Sequence, residues 1–516
     1  MKRSKPLLLP AIAVIAGACN TFAFAPYHFW IIQILALAVL ASLIIRTGKA
    51  KTAFILGWAY GFGSLASGIH WLFVSMHQYG GMNAPMAVIA VVLLSLFLGI
   101  LAGFASGLTR FFMKRWNATN TVTVFFIFPA FWAICEWVRG WIVTGLPWVV
   151  TGYAHTDSPL AGYAPIVGVY GISFIAAILA GAIALFFTIG REHWMKHLAA
   201  SILPIVAILS AGQFLRHVQW TEPAGQPIQV RLLQGNIPQE FKFTGEQIAS
   251  ALSMYADTIT NKQADLIVTP ETAIPIYIQQ LPTGYLEHLT QFAARSFSHI
   301  ALGIPLADSP RNYTNSLIVI SPQDHEKNAQ FGYRYNKHHL VPFGEFVPFG
   351  FHWFVNMMRI PLGDFTRGDP LQKPFAVKDQ WIMPNICYED IFGEEIVDQI
   401  RNEQEIGNSQ PTILLNVSNI AWFGNTIALP QHLQISQMRS LETRRPMLRS
   451  TNTGATAVID AQGNIQAQLT PYTRSELNVT VQGYHGSTPY IRYGNLLILA
   501  IAVLFLAFGK FASRRR

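Results

Sequence analysis

Cys387 has the surroundings in this sequence that best suit a nucleophile. It directly follows Trp381–Ile386, an apolar run that predicts a short buried strand, and Glu389 and Asp390 come just after it. A thiol at the end of such a strand, next to carboxylates, can act as a nucleophile. The alternative is that Cys387 is a small core residue, because free cysteine is among the most buried residue types.

Two further polar residues could complete such a site. Glu271 follows the predicted strand Asp265–Thr269, and burial there would raise its pKa toward that of a working base. A carboxylate at the start of a helix is the alternative. Lys337 lies in a run that turns apolar just after it, where an ammonium could stabilise an oxyanion, unless it is an ordinary surface lysine. A thiol nucleophile needs both of these partners, a base and an oxyanion stabiliser.

The composition of the whole chain is that of a membrane protein. Of the 516 residues 51% are apolar and only 12% are charged, against roughly 25% charged in a soluble domain. Eight apolar runs are long enough, or nearly so, to cross about 30 Å of hydrocarbon as helices. They lie near residues 7–24, 29–45, 53–75, 85–109, 121–138, 166–189, 198–215 and 494–509.

Positive charge in the loops predicts how these spans are oriented. Both chain ends and every second loop carry Lys and Arg, whereas the alternate loops 25–28 and 76–84 carry none and 139–165 carries only Arg139. By the positive-inside rule both termini are cytoplasmic, so residues 219–489, between spans seven and eight, lie on the outer side.

The net charge of +9 belongs to the membrane flanks. Residues 219–489 contain 24 of the 27 acidic residues but only 18 of the 36 Lys and Arg. The outer segment shows no basic stripe with interleaved aromatic residues, so no nucleic-acid partner is expected.

This topology bears on the three cysteines. Cys19 and Cys135 fall in predicted spans, and Cys387 is the only cysteine of the outer segment. An outer compartment is usually oxidising and its structural cysteines usually pair, so an unpaired cysteine there is a candidate reactive thiol.

The outer segment has the pattern of an α/β domain. Helices are predicted at Gly245–Lys262, Thr283–Ser296 and Gln431–Arg444 from apolar residues at helical spacing. Phosphate-loop and zinc-site motifs are absent from the sequence, so neither a cofactor nor a metal is expected. The predicted strands are Ile228–Leu233, Asp265–Thr269, His299–Ile304, Ser316–Ile320, Trp381–Ile386, Thr412–Val417, Ala455–Ile459 and Glu476–Val481.

Three segments carry a family resemblance. PETAIP contains Glu271, YNKHHLVPFGEFVP contains Lys337 and NICYED contains Cys387, in that order. They resemble the Glu-Lys-Cys signatures of the nitrilase superfamily. With apolar spans before and after them, the chain resembles the membrane-embedded branch of that superfamily, the apolipoprotein N-acyltransferases. The likeness covers nearly the whole chain, including RGW at 139–141, GLPW at 145–148 and RSTN at 449–452.

The resemblance implies an architecture and a location. The fold would be an α-β-β-α nitrilase-like sandwich on an eight-helix transmembrane base in the bacterial inner membrane. Residues 1–218 would form seven transmembrane helices, 219–489 the periplasmic catalytic domain, and 490–516 the eighth helix with a basic cytoplasmic tail.

The resemblance also implies a reaction. A fatty acyl group would move from a phospholipid to the N-terminal amine of a diacylglyceryl-cysteine apolipoprotein, through a ping-pong thioester route that completes lipoprotein maturation. Glu271 would be the base, Lys337 the oxyanion stabiliser and Cys387 the nucleophile. The residues expected to support the site or to contact substrate are Glu345, Glu389, Tyr388, Phe346, Trp353, Asn419, Trp422, Arg139 and Trp148.

Two residues depart from the family pattern. Ile420 stands where an Asp is more common, and Phe243 stands where a Trp is common. Neither belongs to the three catalytic positions, so they leave only loop contacts and acyl preference open.

Pro342–Phe365 is too apolar for a solvated loop of an outer domain. It is either a lid that admits a lipid tail, with Trp422 and Phe423 adding to it, or a loop packed onto the transmembrane base. Arg139 could bind a lipid phosphate or pair with Glu136, and the ion pair is favoured.

Two other functions fit parts of this pattern. A membrane-tethered amidase or nitrilase acting on small amides would keep the three catalytic residues but would not need the apolar loop. A transporter or sensor would place ionisable residues inside the spans, where they are nearly absent.

The loop charges predict the outcome of reporter fusions. A reporter joined at about residue 300 should be active only outside the cytoplasmic membrane, and one joined at residue 516 only inside it. A cytoplasmic residue 300 would overturn the eight-span topology.

Overall fold

The computed structural model of the protein describes residues 7–187, 194–240, 242, 244–309, 312–325, 331–351, 353, 364–407 and 410–514. The chain divides into two compact units. The first comprises Met1–Phe73, Asn83–Gln219 and Tyr493–Arg516, and the second comprises Val74–Met82 and Trp220–Arg492.

The first unit is helical. Its helices are α1 (Leu8–Cys19), α2 (Trp30–Arg46), α3 (Ala50–Gly68), α4 (Ala84–Arg115), α5 (Phe128–Arg139), α6 (Ala164–Phe186) and α7 (Trp194–Leu215), and Leu496–Arg514 forms the last helix of the chain.

Four helical segments among the described residues are long and apolar enough to cross a membrane: Ala84–Arg115, Asn120–Arg139, Pro159–Phe186 and Leu496–Arg514. Leu8–Ala23, Trp30–Arg46 and Ser201–Leu215 are shorter apolar helices. The helices coincide with the predicted apolar runs, and these four fit a membrane-bound protein, whereas the full set of eight spans stays a prediction.

Glycines bring three helices of this unit close together. A Cβ on Gly17 of α1 would lie 2.0 Å from the carbonyl oxygen of Tyr60 in α3, and one on Gly61 of α3 would lie 2.9 Å from the Cα of Gly99 in α4. A larger residue would push the backbones apart, which is why helices in apolar surroundings commonly pack through small residues.

The second unit contains two six-stranded sheets. The first has the order β12-β1-β2-β3-β4-β5 and the second the order β11-β10-β9-β8-β7-β6. The strands are β1 (Thr221–Gln234), β2 (Leu266–Val268), β3 (His299–Ser309), β4 (Asn312–Ile320), β5 (Tyr333–Asn336), β6 (Phe375–Val377), β7 (Gln380–Ile386), β8 (Ile413–Ser418), β9 (Met447–Thr451), β10 (Ala457–Ile459), β11 (Ile465–Gln468) and β12 (Ser475–Gly486).

Four helices cover the outer faces of the sheets, two on each. Helices α8 (Gly245–Thr260) and α9 (Tyr285–Ser296) pack on the first sheet, and α10 (Gly393–Glu405) and α11 (Ala428–Thr443) pack on the second. The layers therefore run α-β-β-α.

Strand alternation builds this sandwich. Leu266 and Val268 of β2 lie in the core between the two sheets, whereas Ile267 lies in the core under α8 and α9. Strand β8 alternates in the same way, with Leu415 facing the other sheet and Leu414 facing the helices. Because successive side chains point to opposite faces, a strand buried on both sides must be apolar throughout.

All eight predicted strands and the three predicted helices coincide with observed elements of this unit. The sequence reading missed the short strands β5, β6, β9 and β11 and the helix α10. Each missed strand has only three to five residues, whereas the three-residue strands β2 and β10 lie within longer predicted runs.

Candidate active site

Cys387 lies where β7 ends and the chain turns sharply. Its φ is +54°, in the left-handed region that residues other than glycine rarely adopt. Asn416 of β8 donates from Nδ2 to the Cys387 carbonyl oxygen (3.2 Å) and to Asn385 Oδ1 (2.6 Å), which holds the turn against the sheet. Such backbone strain persists only where its surroundings fix it, and it is concentrated at functional sites.

Glu271 follows β2 and is buried. Its Oε1 accepts hydrogen bonds from Asn315 Nδ2 (2.7 Å) and Lys337 Nζ (3.2 Å), and its Oε2 accepts from the backbone N–H of Asn419 (2.8 Å). Strands of both sheets therefore meet at this one carboxylate, because β4 carries Asn315 and Asn419 follows β8.

The expectation that burial raises the pKa of Glu271 is wrong. Burial does act in that direction, but the Lys337 ammonium and the donors on Asn315 and Asn419 outweigh it and hold the pKa below its ordinary value. The carboxylate is consequently ionised at neutral pH and ready to accept a proton.

Lys337 follows β5 and is only 1% exposed. Its Nζ donates to Glu345 Oε1 (2.8 Å) and to Glu271 Oε1 (3.2 Å). Burial lowers the pKa of Lys337, but the two carboxylates raise it more, so the net shift is upward and the ammonium remains charged.

Cys387 as a residue is partly exposed, and its thiol is protonated at rest. Burial of its surroundings and the charge of Glu271 raise its pKa to about 12, although Lys337 acts in the opposite direction. For this thiol to act as a nucleophile it must lose its proton, and the ionised Glu271 can receive it.

Asn315 is a functional residue that the sequence reading missed. Its Nδ2 donates to Glu345 Oε1 (2.8 Å) as well as to Glu271, so one amide fixes both carboxylates that hold Lys337. The available signal was the polar run Thr314–Ser316, which stays buried inside β4.

Glu345 and Glu389 position other groups. Glu345 Oε2 accepts from the backbone N–H of Val341 (2.8 Å), which fixes the loop after Lys337. Glu389 accepts four hydrogen bonds, from the N–H groups of Ile386 (2.6 Å), His338 (2.6 Å) and His339 (3.1 Å) and from Tyr335 Oη (3.0 Å). It ties the turn at Cys387 to the segment that carries Lys337.

Tyr388 belongs to a cluster of rings beside this turn. Its ring centroid lies 5.7 Å from that of His339 and 5.2 Å from that of Phe392, and the last two rings stack at 3.6 Å. His339 Nδ1 also lies 2.7 Å from Glu395 Oε1.

Asn419 is held by its side chain as well as its backbone. Its Nδ2 donates to Gln239 Oε1 (2.9 Å), and its Oδ1 accepts from Asn452 Nδ2 (3.2 Å). Asn452 also bonds both backbone groups of Ile237, so the loop after β1 is fixed to the same framework as Glu271.

The apolar segment that starts at Pro342 is partly described. Phe346 is half-buried under the Arg367 guanidinium, 5.1 Å from its ring. Phe349 is fully exposed, and Trp353 is 62% exposed. Residue 352 and residues 354–363 of this predicted lid lie outside the described residues.

The sequence also singled out three loop residues, Trp422, Ile420 and Phe243. Trp422 packs edge-on against Tyr79, with ring centroids 6.0 Å apart. Ile420 is buried in the core under α10 and α11, which suits an apolar residue there. Phe243 lies outside the described residues.

Arg139 and Trp148 lie in the first unit, whereas the other residues named for the site lie in the second. Arg139 Nη2 is 3.7 Å from Glu136 Oε1, which is the favoured ion pair. Trp148 is buried against Trp71, with ring centroids 4.8 Å apart.

Known proteins match both parts of the sequence. Residues 16–182 match the profile of the apolipoprotein N-acyltransferase N-terminal domain, and residues 229–490 match that of the carbon-nitrogen hydrolase family. The second unit, with its two sheets between helices, has a nitrilase-like fold.

Full-length relatives carry one name. The chain is 47% identical to an apolipoprotein N-acyltransferase of Ralstonia nicotianae over 98% of this chain and 93% of the relative. It is 38% identical to that of Nitrosomonas europaea over 98% and 97%. Among solved structures it is similar to an amidase from Nesterenkonia sp., at 13% identity and a TM-score of 0.38, over 54% of this chain and 97% of the amidase.

Gly303 of β3 offers a test of how tightly Glu271 is placed. A Cβ at Gly303 would lie 2.2 Å from the Pro270 carbonyl oxygen and 3.0 Å from the Glu271 Cα, so Gly303→Ala must displace the loop that carries the base. Because a displacement of about 1 Å can cost about 100-fold in rate, turnover per folded molecule should fall by about that factor.

The matched control for this change is Gly245→Ala at the start of α8, where nothing lies within 4 Å of the added Cβ. Turnover and melting temperature of both variants would be measured side by side. Equal turnover in the two would mean that the Glu271 loop tolerates displacement.

Proposed function

The chain belongs to the apolipoprotein N-acyltransferase family, and from that premise we propose that it takes an acyl group from a phospholipid and carries it on Cys387 as a thioester. The acceptor is the N-terminal amine of a lipoprotein, and the enzyme is an acyltransferase.

One observation gives the proposed mechanism its main support. The ionised carboxylate of Glu271 and the charged ammonium of Lys337 are held 3.2 Å apart. Both charges act electrostatically on the Cys387 thiol. A base and a cation beside one nucleophile can serve both proton transfer and charge stabilisation.

In the first half-reaction the Cys387 sulfur attacks the ester carbonyl carbon of the phospholipid. The thiol proton passes to Glu271, a C–S bond forms, and the carbonyl electrons move onto the oxygen, where Lys337 stabilises the negative charge. Collapse of this intermediate breaks the ester C–O bond, and the proton on Glu271 passes to the departing hydroxyl oxygen of the lyso-phospholipid.

In the second half-reaction the lipoprotein amine attacks the thioester carbonyl. Glu271 takes a proton from the amine as the C–N bond forms, and Lys337 again stabilises the oxyanion. The C–S bond then breaks, the amide leaves, and the sulfur recovers its proton. Two large lipids need not occupy the site together, since the acyl group waits on the protein, and the kinetics are ping-pong.

The exposed aromatic residues support a lipid donor. Phe349 and Trp353 stand exposed in the segment between Lys337 and Cys387, where they would suit contact with acyl chains. An amidase for small substrates would have no use for them. In this proposal Phe346, Tyr388 and Trp422 line the same approach, whereas Arg139 and Trp148 support the membrane part.

The enzyme is membrane-bound, and its arrangement in the membrane is part of the proposal. Eight spans would place both termini in the cytoplasm and residues 219–489 in the periplasm. The loop charges support this arrangement, and it puts the catalytic domain on the side where exported lipoproteins arrive.

Lys337 should be needed mainly in the transition state. Loss of one oxyanion-stabilising group costs about 2.7–4 kcal/mol, so Lys337→Ala should lower the rate by about 100-fold or more. Lys337→Arg should rescue poorly, because a planar guanidinium does not replace a compact ammonium.

The control for both Lys337 variants is Lys262→Ala, at an exposed lysine. Rates would be compared per folded molecule, with melting temperatures measured alongside, since Lys337→Ala leaves two buried carboxylates without their cation. Near-normal activity of Lys337→Ala would remove this residue from the mechanism.

The acyl-enzyme itself should be detectable by mass spectrometry. Enzyme incubated with phospholipid and no acceptor should gain one fatty acyl mass on the peptide that contains Cys387 and lose it to neutral hydroxylamine. Cys387→Ala should gain nothing, and Cys387→Ser should trap any acyl group as an oxygen ester, a poorer acyl donor to an amine. Cys135→Ala, in the other unit, is the matched cysteine control and should acylate normally.

Transfer at the normal rate in Cys387→Ala would show the nucleophile assignment to be wrong. An acyl mass on another residue would do the same. Acylation by a small amide but not by phospholipid would favour the membrane-tethered amidase instead.

A further inference from the structure

Lys242 is a second buried lysine beside the catalytic residues. It is 2% exposed, and its Nζ reaches the backbone carbonyl oxygen of Glu271 at 3.5 Å. The charges of Glu271 and Cys387 both act on it, so it lies within electrostatic range of the base and of the nucleophile. The reaction steps above give it no role.

The one polar contact of Lys242 within the described residues is too weak to explain its burial. An ammonium has three donors, and one contact at 3.5 Å is at the outer limit of a hydrogen bond. Burying an ammonium costs several kcal/mol unless it is paired. In the described part of the chain no carboxylate oxygen lies within the 4.0 Å of an ion pair with Lys242, so the compensating negative charge must come from elsewhere.

The other cations near the thiol are already paired. Lys337 bridges Glu271 and Glu345, and Arg449 Nη1 lies 3.2 Å from Asp390 Oδ2. Of these five groups, all except Asp390 act electrostatically on Cys387. Lys242 is thus the cation of this set, among the described residues, whose charge is not committed to a carboxylate contact.

The Arg449–Asp390 ion pair is neutral as a whole, and the remaining charges beside the thiol balance only when Lys242 is included. Glu271 and Glu345 contribute two negative charges and Lys337 one positive charge, which leaves one negative charge beside the thiol. A further negative charge on sulfur or on the ester oxygen would be opposed by this excess. With Lys242 the four groups are neutral together.

Lys242 is also held in place by the framework that holds the base. The loop before it is fixed at Ile237 and Gln239 through Asn452 and Asn419. The backbone N–H of Asn419 in turn donates to Glu271. A cation on this loop therefore keeps its place relative to the carboxylate.

We propose that Lys242 is a positioning residue that acts through its charge. Its ammonium, which has no carboxylate contact among the described residues, offsets the excess negative charge of Glu271 and Glu345. It thereby favours negative charge on the Cys387 sulfur, both when the sulfur attacks the ester and when it leaves the thioester. The proposal rests on the proposed role of Cys387 as nucleophile. It predicts that the thiol loses its proton less readily once the charge at position 242 is removed.

The test is the pH dependence of Cys387 alkylation by iodoacetamide, which needs no lipid. The full-length protein in detergent would carry Cys19→Ala and Cys135→Ala, so that Cys387 is its one thiol. Lys242→Gln keeps a donor for the Glu271 carbonyl but removes the charge, Lys242→Arg keeps the charge, and Lys262→Gln at an exposed lysine is the control.

Burial lowers the pKa of Lys242 to about 8, so Lys242→Gln should slow alkylation about tenfold at pH 7, where the lysine is still charged, and the two profiles should converge well above pH 8. Lys242→Arg should stay within a few fold of the parent protein, and Lys262→Gln should match it. If Lys242→Gln lowers the melting temperature, Lys242→Met gives the second uncharged variant for the same comparison.

Two results would overturn the proposal. One is equal alkylation rates at pH 7 for the parent and Lys242→Gln in folded protein. The other is equal slowing in Lys242→Arg and Lys242→Gln, which would mean that shape rather than charge matters. Failure of the proposed function would look different, because the parent protein would then not acylate with phospholipid although its alkylation profile still responded to residue 242.

Discussion

The site depends on one buried bridge, the Lys337 ammonium between Glu271 and Glu345. The Lys337 Nζ lies 3.2 Å from Glu271 Oε1 and 2.8 Å from Glu345 Oε1, so three charges are held together where water is largely excluded. Removing one partner of such a group typically costs about 3–5 kcal/mol, because the remaining charge is left buried and unpaired. The same bridge keeps Glu271 ionised and Lys337 protonated, so fold and chemistry rest on a single interaction.

Neutral hydrogen-bond donors lower the energetic cost of burying this bridge. Asn315 spans both carboxylates from one amide, and the backbone of Asn419 satisfies the remaining oxygen of Glu271. Glu389 stabilises backbone groups in the same way, because it accepts hydrogen bonds from the N–H groups of Ile386 and His338, next to Cys387 and Lys337. The members of this polar network come from both sheets, so it ties the two sheets together at the site.

Sequence patterns predicted the parts of this protein that depend on local chain. Three polar residues at strand ends, Glu271, Lys337 and Cys387, could be picked out because apolar runs precede or follow them, and period-two burial made most strands visible. The direction of the Glu271 pKa shift could not be predicted, since it is set by contacts with Lys337, Asn315 and Asn419, which are remote in sequence. The short strands escaped for the same reason, because their partners rather than their own residues define them.

The backbone at Cys387 has a consequence for how this enzyme can change. A φ of +54° costs a non-glycine residue of order 1 kcal/mol or more, and glycine would occupy the turn without that cost. The most comfortable residue at this position is thus one that cannot react. Selection for a more stable domain alone would push the turn toward glycine, so under the proposed mechanism it is selection for chemistry that keeps a thiol there. Stability and reactivity therefore favour different residues at this one position. The hydrogen bonds of Asn416 and Glu389 stabilise the turn and so offset the strain of a cysteine there.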